Sequence, residues 1–530
     1  MNDLLWWQRA LIYQVYPRSF RDANGDGVGD LTGISQKLEY LKWLGADAVW
    51  LSPIFRSPMV DHGYDISDYT DIDPAFGTLR DFDELLARAH ALGLRVILDL
   101  VPNHSSDQHP WFVQARSSRD NPKRDFYLWR DAAPGGGVPN NWISNFGGPA
   151  WEWDERTGQY YYHAFHKAQP DLNWRNPDVQ AAMLDVVRFW FDRGVDGFRI
   201  DVLWHLIKDA DFRDNPRNPS FRPGQPPHHA VLQTYSTDRP EVFDIVKKLR
   251  SVADEYPDRL LIGEIYLPID RLVAYYGEHG DGVHLPFNFQ LVTEPWDARA
   301  IARCIEAYEA ALPPGAWPNW VLGNHDQPRV ASRTSAAQAR VAAMLLLTLR
   351  GTLTLYYGEE IGMHDVEVPE ALRHDPQSRG MPGIGMERDF YRTPMQWSVE
   401  PAAGFSATEP WLPVADDFRL NNVEVERDAP GSMLTLHRRL IELRRREPAL
   451  VAGKCRIVPA DGGVLAYLRE HGARRLLVAL NLTSKPAVLR AGYLVAHGRV
   501  VLGTDRARDG AAVERDVELA ADEGLVIELD

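Results

Sequence analysis

Cysteine is nearly absent: the 530 residues hold two, Cys304 and Cys455, far apart and in no metal-ligand spacing. That excludes a disulfide framework or a cysteine zinc site and points to a reducing compartment. An excess of positive charge is missing too. Lys plus Arg number 58 against 74 Asp plus Glu, a formal net charge of −16. Such a surface repels phosphate backbones and anionic bilayers, so neither nucleic acid nor a membrane is an expected partner. The stretch 1–13 lacks a basic start, an apolar run and a small-residue cleavage site, so no signal peptide is read and a cytoplasmic protein is expected. The longest apolar run, 341–358, is broken by Arg350 and Gly351 and reads as a buried helix followed by a strand, not a membrane span. Low-complexity tracts and repeats of solenoid length are missing as well.

What is present is ordinary globular composition, 45% hydrophobic and 25% charged, on a length that suggests three or four units of about 150 residues each. A short apolar run followed by an amphipathic segment recurs eight times, the pattern of parallel strands joined by crossover helices. Strands are expected over 11–16, 48–52, 95–101, 197–202, 260–265, 282–289, 320–322 and 352–357. Helices are expected over 31–44, 81–91, 177–191, 241–253, 298–312 and 336–349, with 433–446 completing the ring. Eight rounds, with no Gly-x-Gly-x-x-Gly after the first strand, favour an α/β fold closed as a (β/α)₈ TIM barrel over an open doubly wound sheet. Residues 105–170 show no helical period and read as an inserted subdomain. Beyond about 451 the pattern becomes short alternating strands, such as 464–469 and 475–482, which predicts a C-terminal antiparallel β domain. The expected division is therefore barrel over 1–104, inserted subdomain over 105–172, barrel again over 173–451 and β domain over 452–530.

On a barrel, ionisable residues at the strand ends meet at one mouth: Asp99 and His104, Arg199 and Asp201, Glu264, His325 and Asp326. Each alone reads equally well as a helix cap or a satisfied core residue; four strands ending this way form an acid-rich pocket. Convergent carboxylates with no Cys, no His-x-x-x-His and no serine elbow suit glycoside hydrolysis, in which one carboxylate attacks and a carboxylic acid protonates the leaving oxygen. Arg199 lies two residues before Asp201, on the same strand face, and favours its ionised form, so Asp201 is the expected nucleophile. Glu264, in the apolar run 260–265 with Tyr266 beside it, is the expected general acid and then base, because burial disfavours its charge.

The motifs Asp99-Leu-Val-Pro-Asn-His104, Gly197-Phe-Arg-Ile-Asp-Val202, Gly263-Glu264 and Gly323-Asn-His-Asp326 resemble, in order and in strand position, those of the α-amylase superfamily of glycoside hydrolases. Gln169-Pro-Asp-Leu-Asn173 and the opening Trp6-Trp7 with Tyr13-Gln-Val-Tyr-Pro-Arg-Ser-Phe20 are similar to its oligo-1,6-glucosidase and α-glucosidase branch. The resemblance implies a retaining mechanism with Asp201 as nucleophile, Glu264 as acid/base and Asp326 as a third carboxylate that holds sugar hydroxyls. It further implies that Asp61, Tyr64, His104, Arg199 and His325 bind the terminal glucose and that Arg392, in Arg392-Thr-Pro-Met-Gln-Trp397, closes the pocket. Asp99 reads as a support.

Residues 22–30 place oxygen ligands at alternate positions with glycines between, similar to the start of a calcium loop but without the distant Glu of an EF-hand. A bare Asp/Asn/Gly turn is the other reading. The resemblance implies a structural Ca²⁺ or Mg²⁺ held by Asp22, Asn24, Asp26, the Val28 carbonyl and Asp30; no cofactor is expected for catalysis. Val202, directly after the nucleophile, accompanies acceptance of α-1,6 bonds in similar enzymes. The segment 211–237, rich in Pro, Arg and Asn, is expected to wall the acceptor side, which implies exo action on short α-glucosides; a monomer or homodimer is expected. Two alternatives remain: a glucosyltransferase or isomerase of the same superfamily, and a non-catalytic scaffold, which would show a membrane anchor or a lost carboxylate.

Overall fold

Eight short strands, buried almost throughout, pair side by side in one parallel sheet: β1 (Leu11–Val15), β2 (Ala48–Leu51), β3 (Arg95–Leu100), β4 (Gly197–Ile200), β5 (Leu260–Ile265), β6 (Leu285–Asn288), β7 (Asn319–Val321) and β8 (Thr352–Tyr356). The computed structural model describes residues 4–530 apart from 493 and 496, so the first three residues of the stretch 1–13 lie outside the described residues. Of all the strand residues only Arg95 is not fully buried, as expected where helices cover one face and side chains fill the interior of the other. The strand order is β6-β5-β4-β3-β2-β1-β8-β7, a ring with one seam. A side chain bridges that seam. Asn319 of β7 donates from Nδ2 to the Pro286 carbonyl (2.6 Å) and accepts the Asn288 N–H at Oδ1 (2.9 Å), replacing ladder bonds between β6 and β7.

The covering helices are α1 (Leu31–Leu44), α2 (Leu79–Ala91), α3 (Pro177–Asp192), α4 (Val242–Asp254), α5 (Ala298–Ala311), α6 (Ala336–Thr348) and α7 (Met433–Arg446). Local chemistry sets their ends. Asp30 caps α1 by accepting the Gly33 N–H, and Gly45, at φ 108°, stops it in the left-handed region. Thr78 and Asp81 form a reciprocal capping box on α2, so this helix starts two residues before the position expected from its apolar stripe. The strand expected over 197–202 ends at Ile200, because Val202 turns into the left-handed region at φ 36°. The strand expected over 282–289 shortens to β6 because the Val283 N–H bonds back to the Tyr275 carbonyl.

Between β3 and β4 a three-stranded antiparallel sheet, Trp129–Arg130, Gln159–Tyr162 and Trp151–Asp154, packs a core that includes Trp142, Trp151 and Tyr162. The bridge of His104 to Asp171 ties this segment back to the barrel mouth. After the barrel comes a six-stranded antiparallel sheet running from Lys454–Val458 to Gly524–Leu529 in sequence. Leu468, Leu477 and Ile527 lie in its own core, while Leu465, Tyr467 and Val478 join the barrel core. Among the described residues no helix is long and apolar enough to cross a membrane.

Candidate active site

Parallel strands deliver their C-terminal ends to one mouth, and the polar residues of the sequence stand there. Asp99 is the fifth residue of β3, Arg199 the third of β4, and Glu264 the fifth of β5, while Asp201 follows β4 and His325 and Asp326 follow β7. A cavity of about 1080 Å³ opens among them, large enough for more than one sugar ring. Asp61, Tyr64, His104, Asp201, Glu264 and Asp326 line it. Arg199, His325 and Arg392 do not. They are fully buried and hold the lining residues from behind.

Arg199 is the centre of the first cluster. Its Nη1 bonds Asp99 Oδ1 (2.8 Å) and Asp201 Oδ1 (2.7 Å), and its Nη2 pairs with Glu264 Oε2 (2.6 Å). The expectation that Arg199 singles out Asp201 as the ionised group is therefore modified: the guanidinium serves three carboxylates at nearly equal range. Asp201 and Glu264 are also in hydrogen-bond contact with each other. One cation against three buried carboxylates cannot balance them, so the cluster retains a proton. Burial is the largest cause and raises all three, and Arg199 opposes it; Glu264 repels Asp99 and Asp201, Asp326 repels Glu264, and the hydrogen bond between Asp201 and Glu264 raises Asp201 while lowering Glu264. Asp99 is pushed up to about 7 and is further braced by the Trp50 indole and the Tyr64 hydroxyl, each 3.2 Å from Oδ2.

A second cluster closes the opposite wall. Arg388 reaches Asp61 Oδ1 (2.7 Å), Asp375 Oδ1 (2.6 Å) and Asp326 Oδ1 (3.3 Å) and lines the cavity. Arg392, expected to close the pocket, instead donates from Nε to the His325 carbonyl and from Nη2 to Asp326 Oδ1, both at 2.8 Å. The arginine that lines the cavity is thus four residues upstream of the one singled out from the sequence. Nothing in the local sequence separates the two; what distinguishes Arg388 is its distant partner Asp61. Burial opposes the charge on Asp326, but the His325 ring N–H beside it and the charges of Arg392, Arg388 and Arg199 outweigh it and hold this carboxyl well below the usual range. Asp326 therefore stays ionised beside a cluster that retains a proton.

Tyr64 and His325 stack face to face, 5.3 Å apart and nearly parallel. The Gln14 amide nitrogen lies 2.8 Å from His325 Nδ1, so the ring proton sits on Nε2, between the Tyr64 hydroxyl (2.5 Å) and Asp326 Oδ2 (3.1 Å). Burial keeps both histidines neutral: His325 is lowered well below its ordinary value and His104 is pushed down to about 4. His104 Nε2 lies 3.0 Å from the Tyr64 carbonyl, and Gln169 Nε2 donates to Asp61 Oδ2 at 3.1 Å. That bond ties the Gln169 motif to the cavity wall. Residues of 211–237, among them Asn218, Val231 and Thr237, line part of the cavity.

The loop 22–30 lies apart from the cavity. Asp22 accepts the Gly25 and Gly27 N–H groups (2.6 and 2.8 Å) and the Ser406 hydroxyl (2.6 Å). Asp30 caps α1 with Oδ1 and takes the Ala23 and Asn24 N–H groups on Oδ2. Asp26 Oδ1 takes the Val28 N–H, and Asn24 Oδ1 the Asp26 N–H. Among the described residues no group of three or more His, Cys, Asp or Glu is placed to hold a metal ion. The five expected ligands, Asp22, Asn24, Asp26, Val28 and Asp30, thus form a self-bonded turn loop rather than a convergent cage. Their donor set, all oxygen, still fits a hard cation, since each carboxylate has about four lone-pair sites and these bonds leave some of them free.

Comparison with known proteins agrees with this geometry. Residues 14–453 match the model of the alpha-amylase catalytic domain. The chain is 44% identical over 501 residues to a probable alpha-glucosidase of Rhizobium meliloti, covering 92% of this chain and 91% of that protein. It is 38% identical to the oligo-1,6-glucosidase of Parageobacillus thermoglucosidasius, covering 92% of each. Among solved structures it superposes on an alpha-glucosyl transfer enzyme with a TM-score of 0.94 at 40% identity, covering 100% of both chains. The eight-stranded ring, its carboxylate mouth and a match over most of the chain lead to one conclusion: this protein belongs to the α-amylase family of glycoside hydrolases.

Proposed function

We propose that the enzyme is a retaining, exo-acting α-glucosidase that hydrolyses terminal α-1,6 and α-1,4 bonds of short oligosaccharides and disaccharides. The observation that carries the reading is the closeness of Asp201 and Glu264, bonded to one guanidinium at 2.7 and 2.6 Å and to each other. Inverting enzymes separate their carboxyls by about 6.5–9.5 Å to seat a water, and retaining enzymes hold them closer. Asp201 attacks the anomeric carbon as the glycosidic C–O bond breaks, and the Glu264 proton passes to the leaving oxygen. Water then adds to the anomeric carbon of the glucosyl ester, gives its proton to Glu264 and frees Asp201. Asp326, kept ionised, grips sugar hydroxyls and favours the distorted transition state. Asp61, Tyr64, His104 and Arg388 line the glucose pocket, with Arg199, His325 and Arg392 fixing them. A 5-fluoro-α-glucosyl fluoride label found on the Asp201 peptide by mass spectrometry supports the covalent step; a label elsewhere, or none, overturns it.

Similarity to an alpha-glucosyl transfer enzyme favours a second outcome at the same ester, transfer to a sugar instead of water at high sugar concentration. No cofactor enters the chemistry. A Ca²⁺ or Mg²⁺ at the loop 22–30 has a structural role in this reading, through Asp22, Asn24, Asp26, Asp30 and the Val28 carbonyl. The two free cysteines, Cys304 buried and Cys455 half-buried, support a cytoplasmic setting.

A further inference from the structure

A second cavity, of about 650 Å³, lies beside the glucose pocket, and Phe146 and Phe165 line both. Three separate parts of the chain build it: Arg18 after β1, His163 and Lys167 in the inserted segment, and Arg379 in the loop after β8. Its charge is one-sided. Among the lining residues Arg18, Lys167 and Arg379 are cationic and Glu152 is acidic, while Asp73, Asp389 and Asp26 act on Arg18 from outside the lining.

Arg18 is the unusual member. Arg199, Arg388 and Arg392 each bond to carboxylates. Arg18, among the described residues, enters no ion pair, its buried Nε lacks a hydrogen-bond partner, and its guanidinium rests on the Trp411 ring at 4.6 Å. Five N–H donors on a partly buried cation are costly without an acceptor. His163, 4% exposed, donates from Nδ1 to the Phe165 carbonyl (2.8 Å) and leaves Nε2 without a partner. His62, 6% exposed, also has an unpartnered Nε2, 4.0 Å from Asp389 Oδ1. Burial keeps these two rings neutral, pushing His163 down to about 4 and His62 well below its ordinary value. They add no charge, and His163, with its proton on Nδ1, presents Nε2 as an acceptor that meets only a protonated phosphate oxygen; the charge of the lining comes from the three cations and one acid.

We propose that this second cavity binds a phosphate group, free or on a small sugar, with Arg18, Lys167 and Arg379 as its cationic partners. A phosphate monoester carries about −1.5 to −2 charges at pH 7 and balances the excess of two cations, where a carboxylate balances half of it. Arginine and lysine are the side chains suited to it, the first through its fork of donors and the second as a point charge. The position gives the site a route to the glucose pocket, because two rings are shared and His62 adjoins Asp61, which holds Arg388.

The test is calorimetric titration of the full chain with sodium phosphate and, separately, glucose 6-phosphate. Ionic strength is held constant with NaCl, and saturating glucose fills the sugar pocket. The expected result is saturable one-to-one binding, tighter for inorganic phosphate if the natural ligand is the free anion and tighter for the ester if it is a phosphorylated sugar. Lys167→Ala/Arg379→Ala, which alters two exposed side chains outside the catalytic machinery, should fold and hydrolyse glucosides as the parent does and bind at least tenfold more weakly. Arg18→Gln should weaken binding in the same direction. Absence of saturable heat with both ligands, or an affinity unchanged in the double variant, overturns the proposal and leaves the cavity a solvent channel.

Discussion

The backbone N–H of Val202 donates to Glu264 Oε2 at 2.9 Å, from a residue held at φ 36° and ψ 47°. A β-branched side chain in the left-handed region costs about 1–3 kcal/mol. The turn that imposes it ends β4, carries Asp201 to the mouth and aims an amide at the second carboxylate. Strain and function thus share one residue, and the bond joins the ends of two strands that must stay in register for the chemistry.

Replacing Val202 by Ala keeps that N–H and removes two methyls from the pocket wall. We expect turnover of p-nitrophenyl α-glucoside to stay within about threefold, while the ratio of isomaltose to maltose kcat/KM falls by about tenfold, the scale on which a pocket reads small apolar groups. Steady-state kinetics on the two disaccharides checks this. An unchanged ratio removes Val202 from the account of linkage preference.

Arg388 is shared by Asp61, Asp326 and Asp375, and Asp326 also pairs with Arg392. Arg388→Ala leaves buried carboxylates uncompensated, a loss of about 3–5 kcal/mol in comparable pairs. We expect kcat/KM for disaccharides to drop at least about 100-fold. Arg388→Lys, which keeps the charge and loses the fork, should fall between. Parallel thermal melts separate loss of the pocket from loss of the fold.

The pH dependence follows from the directions of the shifts. Glu264 and Asp201 are raised, chiefly by burial, so the pair gives up its last proton only above the ordinary carboxylate range. Activity that needs this proton is present at lower pH and fades as pH rises through the raised value; the macroscopic value belongs to the pair. Asp326, lowered, stays ionised and adds no acid limb of its own in this range. In Glu264→Ala the alkaline limb of kcat/KM should vanish for p-nitrophenyl α-glucoside, whose leaving group needs no proton, while disaccharide hydrolysis falls by about 10²–10⁴. A retained alkaline limb assigns the acid to another residue.

The barrel was legible because its physics is local: apolar runs of strand length, amphipathic stripes and capping residues repeat eight times, and the structure places all eight strands within a few residues of expectation. The carboxylates were legible because strand ends converge in any such barrel. What could not be read was partnership across the chain. Arg388 and Arg392 stand four residues apart in one loop, and only the 327-residue reach to Asp61 tells which one lines the cavity. Likewise Arg199 looked like a partner of Asp201 from spacing along one strand, whereas its bond to Glu264 depends on how β4 sits against β5. The seam closed by the Asn319 side chain has no signature in sequence either, since an Asn in a short apolar strand carries no sign of its acceptor.

The loop 22–30 predicts a thermal effect without a catalytic one. Added CaCl₂ should raise Tm by a few degrees, on the order of 1–2 kcal/mol of linkage at concentrations well above Kd, and EDTA should reverse it while initial rates at 25 °C stay unchanged. Asp26→Ala should abolish the shift. An unmoved Tm in both directions leaves the loop as the self-bonded turn that its hydrogen bonds describe.

The most direct measurement is the anomer released first. Wild-type enzyme and Asp201→Asn are incubated with isomaltose, and the newly formed glucose is followed by proton NMR before mutarotation. We expect α-glucose at the outset and a loss of at least about 10³-fold in the variant. β-Glucose as the first product, or an Asp201→Asn enzyme that retains its rate, contradicts a double displacement at Asp201.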